Sequence, residues 1–172
     1  MFSVALISTG GTIEKTFDEF AGALSNRVSV LDVMIASLEL RGVQIHRVAL
    51  MNKDSLEMTE SDHELIARTV EVLEGHHDGI VIVHGTDRLA VTGERIHALL
   101  TKDGTMSKPV VLTGAMRPYE LRRTDAVQNL TEALIAVQVL PPGVYAVMHN
   151  RVLEFPGVRK DSRKMTFVKE GA

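Results

Sequence analysis

Short runs of β-branched and aliphatic residues alternate along this chain with longer stretches whose apolar positions recur every three or four residues. The short runs lie at 4–7, 43–50, 79–83, 109–112 and 144–148. They are mostly apolar at every position rather than at alternate ones, which predicts strands covered on both faces and therefore a parallel sheet. The longer stretches predict four helices with recognisable ends. Over 30–40, apolar residues at 31, 34, 35 and 38 share a face, and Gly42 follows as a stop. Thr59 and Asp62 stand at capping-box spacing ahead of Leu65, Ile66, Thr69, Val70 and Leu73, and Gly75 closes the run. Residues 88–100 and 125–139 supply the other two, the last behind Thr124 as N-cap.

Alternation of this kind builds βαβ units, and right-handed crossovers favour the flavodoxin-like strand order 2-1-3-4-5. The expected fold is α/β, a doubly wound parallel sheet of about five strands that binds its ligand at the carboxyl ends of the central strands. Polar loops 8–27, 51–58, 84–87 and 113–123 follow strands at that edge. A length of 172 residues with 45% hydrophobic content suits one packed domain and is short for two, so residues 1–172 are expected to form a single unit. From Asn150 onward, Arg151, Arg159, Lys160, Arg163, Lys164 and Lys169 face only Glu154, Asp161 and Glu170, a local charge of +3. This 150–172 tail is expected to fold back toward the site.

Composition narrows the function classes. A net charge of -3 provides no field to draw nucleic acid or an anionic membrane surface. The absence of cysteine removes disulfides, thiolate metal sites and cysteine nucleophiles. The longest uncharged stretch, 133–150, is broken by Pro141-Pro142-Gly143 and reads as helix, turn and strand rather than a membrane span. The first eight residues have no basic flank and run into Thr-Gly-Gly-Thr, unlike a secretory signal, so a cytoplasmic location is expected. No His/Asp/Glu spacing suits a metal, and neither metal nor cofactor is expected. His76 and His77 read as solvated, His84 as buried at a strand end, and the methionines at 51, 58, 116 and 148 as core packing.

Two strand ends offer chemistry. Ser8-Thr9-Gly10-Gly11-Thr12 places hydroxyls around two glycines, a first suggestion of phosphate binding. Neither GxxxxGK[ST] nor GxGxxG spacing is present, and no helix opens directly behind, which argues against a nucleotide. A structural turn would need only the glycines, leaving Thr12 unexplained. His84-Gly85-Thr86-Asp87 holds a hydroxyl and a carboxylate just before a helix, where Thr and Asp are also ordinary caps.

Thr9-Gly10-Gly11-Thr12-Ile13-Glu14, His84-Gly85-Thr86-Asp87 and Gly114-Ala115-Met116-Arg117-Pro118, in this order and spacing, resemble the signature motifs of the bacterial-type L-asparaginase family. Asn52 to Met58 is similar to that family's substrate-carboxylate loop, and Val158-Arg159-Lys160 to its catalytic-lysine segment. The resemblance covers essentially the whole chain. It implies an α/β amidohydrolase converting L-asparagine and water to L-aspartate and ammonia, a homo-oligomer (dimer or tetramer) without cofactor. Thr12 would attack the side-chain amide, with Thr86, Asp87 and Lys160 as a second catalytic cluster. Ser55 and Asp87 would hold the substrate's carboxylate and amino group, Gly11, Asp54 and Gly85 would complete the binding set, and backbone N–H groups at Ala115 and near Thr86 would face the oxyanion.

The family is typically two-domain and nearly twice as long, so the chain is expected to be a short single-domain form. The family's mobile loop carries a Tyr that assists the nucleophile. Here that segment reads Lys15-Thr16-Phe17-Asp18-Glu19-Phe20, and the expected substitutes are Thr16 or Glu14. Arg88 and Leu56 stand where the family has polar contacts, and in a short form the acidic residue that a neighbouring protomer's second domain supplies to the substrate amine is expected to be missing. The alternatives are a non-catalytic metabolite-binding domain, a fragment of a longer asparaginase- or amidotransferase-like chain, or a phosphate binder.

Overall fold

The computed structural model describes residues 1–102, 104 and 106–170. Its elements run β1 (Phe2–Gly10), β2 (Thr16–Asp18), β3 (Ala23–Ser25), α1 (Leu31–Ala36), β4 (Val43–Lys53), α2 (Glu60–Glu74), β5 (Gly79–Val83), α3 (Leu89–Lys102), β6 (Pro109–Thr113), α4 (Ala126–Val139), β7 (Gly143–Met148), β8 (Arg151–Glu154), β9 (Val158–Asp161) and β10 (Thr166–Lys169). Short 3-10 turns at Thr12–Glu14 and Ser55–Glu57 complete the chain. The main sheet has the order β4-β1-β5-β6-β7-β8. Its first five strands are parallel, and they are the five apolar runs in the expected 2-1-3-4-5 order. β8 adds an antiparallel edge through Tyr145↔Glu154 to Met148↔Arg151.

Side-chain alternation divides the sheet between two cores. Val4, Leu6, Val81, Val83 and Val111 pack with Leu31 and Met34 of α1 and with Leu130, Leu134 and Val137 of α4. Ala5, Ile7, Ile80, Ile82, Val110 and Leu112 face the other way, onto Ile66 and Val70 of α2 and Leu89, Ile96 and Leu100 of α3. The Thr59–Asp62 capping box closes as its spacing predicts, with both the Thr59 side chain and the Thr59 backbone N–H bonded to Asp62.

Several elements differ from the sequence reading. The first helix stops at Ala36, and Leu38 and Leu40 pack against the core as irregular chain instead. Asp125 rather than Thr124 occupies the N-cap position of α4, while the Thr124 hydroxyl accepts the Ala126 N–H at 3.0 Å. The loop expected at 8–27 contains the β2–β3 hairpin, paired from Thr16↔Ser25 to Asp18↔Ala23. The tail forms a second two-stranded sheet, β9–β10, in which Lys160 lies opposite Phe167. Phe155, Val158 and Phe167 seat this segment on the α2–α3 side of the molecule. Gly93 makes room for it: a Cβ there would stand 2.1 Å from the Phe155 ring.

Candidate active site

The strand ends meet backbone to backbone. Gly10 and Gly11 have φ of 96° and 80°, a left-handed path that L side chains rarely take. A Cβ on Gly11 would lie 2.4 Å from the Cα and N of Gly85, so the ends of β1 and β5 touch with no side chain between them. A Cβ on Gly85 would in turn lie 2.5 Å from Cβ and Oγ of Ser55. The Gly11 N–H donates to the Lys53 carbonyl at 2.8 Å, tying β1 to the end of β4. Gly11, Gly85 and Ser55 therefore form one contact, and Thr12 and Thr86 each stand one residue beyond it.

Thr12 is half-buried in the first position of its 3-10 turn, and Thr86 is buried. No group among the described residues hydrogen-bonds the Thr12 hydroxyl. Thr86 Oγ1 accepts a hydrogen bond from Lys160 Nζ at 2.8 Å, and the same ammonium donates to Asp87 Oδ1 at 2.8 Å. Lys160 is 15% exposed and Asp87 42%, so this ion pair straddles the boundary between core and solvent. The lysine arrives from β9, whose entry is held by the Gly157 N–H donating to Glu94 Oε1 at 2.6 Å.

Glu14 is committed elsewhere. Its carboxylate, 1% exposed, accepts the Gly10 N–H at 3.1 Å and the Ser29 hydroxyl. Burial pushes its pKa up, partly offset by those two donors. Thr16 lies on β2 opposite Ser25. Asp54 caps the Ser55–Glu57 turn by accepting the Leu56 N–H at 3.0 Å and pairs with Lys15 Nζ at 2.6 Å. Lys15, more than any other neighbour, holds the Asp54 carboxyl below its ordinary range. Leu56 is 62% exposed.

Ala115 is buried in a loop shaped by α4. Asn129 Nδ2 donates to the Gly114 carbonyl at 2.9 Å, and Asp125 accepts the N–H groups of Met116 and Arg117 at 3.0 and 2.9 Å. His149 Nε2 reaches the same carboxylate at 2.7 Å. Burial by itself would raise the Asp125 pKa, but these donors together take it below its usual value.

The sequence reading missed three features. Asn26 Nδ2 donates to the Gly11 carbonyl at 2.8 Å and to Asn52 Oδ1 at 3.2 Å, closing the end of the β2–β3 hairpin over the strand ends. A cavity of about 340 Å³ lies there between Lys15, Ser25, Asn26, Asn52 and Asp54. Asp125 was legible as a helix-start acid, whereas nothing in the local pattern marks His149 as its partner. Among the described residues no three His, Cys, Asp or Glu side chains converge as a metal site would require. No described helix is long and apolar enough to cross a membrane.

The family model described as "Asparaginase, N-terminal" matches residues 3–167. The chain is 33% identical to the L-asparaginase of Thermococcus kodakarensis over 153 residues, 86% of this chain and 44% of that protein. It is 34% identical to a glutamyl-tRNA(Gln) amidotransferase component of Aeropyrum pernix over 150 residues, 86% of this chain and 35% of that one. The solved structure of the thermostable L-asparaginase from Thermococcus kodakarensis superimposes with a TM-score of 0.84 at 30% identity, covering 98% of this chain and 51% of the other. L-asparaginase I from Vibrio cholerae gives 0.79 at 27% identity, again covering 98% and 51%. The chain thus spans about half the length of these solved structures and less of the curated relatives it matches.

Proposed function

The chain belongs to the asparaginase family, and from that premise we propose that it hydrolyses the side-chain amide of L-asparagine to L-aspartate and ammonia, with Thr12 as nucleophile. The observation that carries this reading is Lys160 Nζ bridging Thr86 Oγ1 and Asp87 Oδ1 at 2.8 Å each, where the ends of β1 and β5 abut. Residues 1–172 act as one catalytic domain whose tail supplies the lysine.

A threonine hydroxyl is a weak nucleophile until its proton is taken. Thr12 Oγ1 bonds to the amide carbon as its proton is drawn off toward the Thr86–Lys160 pair, in which Lys160 serves as the base once its ammonium has released a proton to solvent. The amide nitrogen takes that proton back from Lys160 as the C–N bond breaks and leaves as ammonia, and the aspartyl ester on Thr12 is then cleaved by water. Backbone N–H groups at Ala115 and Thr86 stabilise the oxyanion, a contribution of about 3–4 kcal/mol for one well-placed donor. Ser55 holds the α-carboxylate and Asp87 the α-amino group. The setting this reading implies is a cytoplasmic homo-oligomer, dimer or tetramer, working without metal or cofactor.

Leu56 gives the substrate no polar contact, and each missing charge-assisted hydrogen bond costs roughly 1.5–3 kcal/mol. KM should accordingly fall in a Leu56→Ser variant. The test is ammonia release from asparagine and from glutamine by the purified chain and by Thr12→Ala. Asparagine-dependent release that vanishes in a folded Thr12→Ala variant is expected. A second reading, the amide-hydrolysing part of a longer amidotransferase chain, is favoured by the 34% identity to the Aeropyrum pernix protein. A folded chain that releases ammonia from neither free amino acid would support it and contradict the first.

A further inference from the structure

Behind the strand-end contact runs a line of side chains that this mechanism does not use. His63 on α2, Thr92 on α3 and His84 at the end of β5 are 2%, 0% and 0% exposed. His63 Nδ1 and Thr92 Oγ1 are 2.7 Å apart, Thr92 Oγ1 and His84 Nε2 2.8 Å, and His84 Nδ1 lies 2.8 Å from the Gly85 carbonyl. The two imidazoles lie nearly parallel, their centroids 6.3 Å apart.

The direction of every bond follows from the last one. A carbonyl oxygen only accepts, so His84 Nδ1 carries the hydrogen, and Nε2 of the neutral ring is then an acceptor. Nε2 takes the Thr92 hydroxyl hydrogen, which leaves the Thr92 oxygen to accept from His63 Nδ1–H. Burial holds His84 neutral, with its pKa pushed down to about 4. Apolar side chains of similar volume would fill this part of the core without polar atoms to satisfy. A fully satisfied polar line is worth its desolvation when one orientation has to be specified.

The fixed group is the carbonyl of the Gly85–Thr86 peptide. That peptide is planar and trans, so the direction of the Gly85 C=O sets the direction of the Thr86 N–H on its opposite side. The Thr86 N–H has no acceptor among the described residues. We propose that the His63–Thr92–His84 line is a positioning device that holds the Thr86 N–H aimed at the developing oxyanion of the substrate. His63 and Thr92 act through His84 and touch no substrate. The proposal rests on the amidohydrolase reading and assigns it a further positioning set on α2 and α3.

Thr92→Val keeps the volume and removes both hydroxyl bonds, whereas Thr92→Ser keeps them. Thr92→Val is expected to lower kcat on asparagine by about tenfold with KM within about twofold, the pattern of an interaction made only in the transition state, and Thr92→Ser to restore it. Nitrogen-15 NMR of the histidines reads the device without activity. His84 should be the Nδ1–H tautomer in the unaltered protein, and its Nε2 resonance should shift in Thr92→Val as that nitrogen loses its donor. Unchanged kcat in folded Thr92→Val, failure of Thr92→Ser to rescue, or an Nε2–H tautomer at His84 in the unaltered protein would overturn the proposal. If Thr92→Val does not fold, His63→Phe takes its place, with a smaller fall in kcat expected because the Thr92–His84 bond survives. Absence of ammonia release by the unaltered protein would instead sink the amidohydrolase reading, and the tautomer measurement separates the two failures.

Discussion

The two sides of the Lys160–Thr86 contact are anchored in different ways. Thr86 follows a strand in the middle of the sheet, and its neighbour Gly85 is caught between Gly11 and Ser55 with no room for a methyl group on either. Lys160 rides on a two-stranded sheet joined to the rest chiefly by Phe155, Val158 and Phe167 and by the Gly157–Glu94 hydrogen bond. The first side is held by backbone contact that nothing can loosen without parting the strands. The second depends on a few side chains, so it is where the proposed site can be taken apart while the sheet survives.

The largest effect should come from removing the tail's main anchor. Phe155 is 2% exposed and rests in the space over Gly93. Phe155→Ala should cost about 3–5 kcal/mol, and hydrogen exchange should show protection lost in β9 and β10 first, with β1 and β5 last. Uniform loss across the molecule would mean that the tail is part of the central fold rather than docked on it.

Lys160→Met comes next. Methionine retains the stem packing and drops the ammonium. Turnover should fall at least about 100-fold, the scale of one general acid–base group, while Tm stays nearly unchanged. Activity close to normal would make the Thr86–Lys160–Asp87 cluster a structural ion pair.

Acid should discriminate in the opposite sense, acting on the clamped side. His84 has a folded-state pKa of about 4, below the roughly 6.5 of an unfolded histidine, and burial lowers His63 as well. A group whose protonated form the fold rejects stabilises fully above its unfolded pKa, and that stabilisation is lost as pH falls toward the folded value. Stability should therefore drop by on the order of 2 kcal/mol between neutral pH and about pH 4.5, read from urea midpoints. An equal drop in a folded His84→Gln variant would show that His84 is not held neutral by the fold.

The same contrast separates what the sequence disclosed from what it concealed. The five parallel strands were readable because burial on both faces leaves them apolar at every position, as in Gly79–Val83 and Pro109–Thr113. β8, β9 and β10 are four residues each and include Arg151, Glu154, Arg159, Lys160, Asp161 and Lys169, so no period or apolar run marks them. Left-handed turns at His149, Asn150 and Met165 bear no glycine to announce them. Of the proposed site, Thr12, Thr86 and Asp87 were visible as strand-end residues, while Lys160 stood out only through resemblance to a family motif. Proximity in sequence makes Glu14 a candidate aid to the nucleophile. Its carboxylate turns back to Gly10 and Ser29, an arrangement that depends on where residues 10–29 travel in space.

In the proposed reaction the Thr12 hydroxyl, two residues beyond β1, attacks an amide. The most direct measurement is an acid quench of the protein during turnover with L-asparagine, followed by mass spectrometry of its peptides. An aspartyl ester on the peptide containing Thr12, absent from Thr12→Ala, is the expected result. An adduct on Thr86 instead, or ammonia release with no acyl-enzyme under conditions where deacylation is slowed, would contradict it.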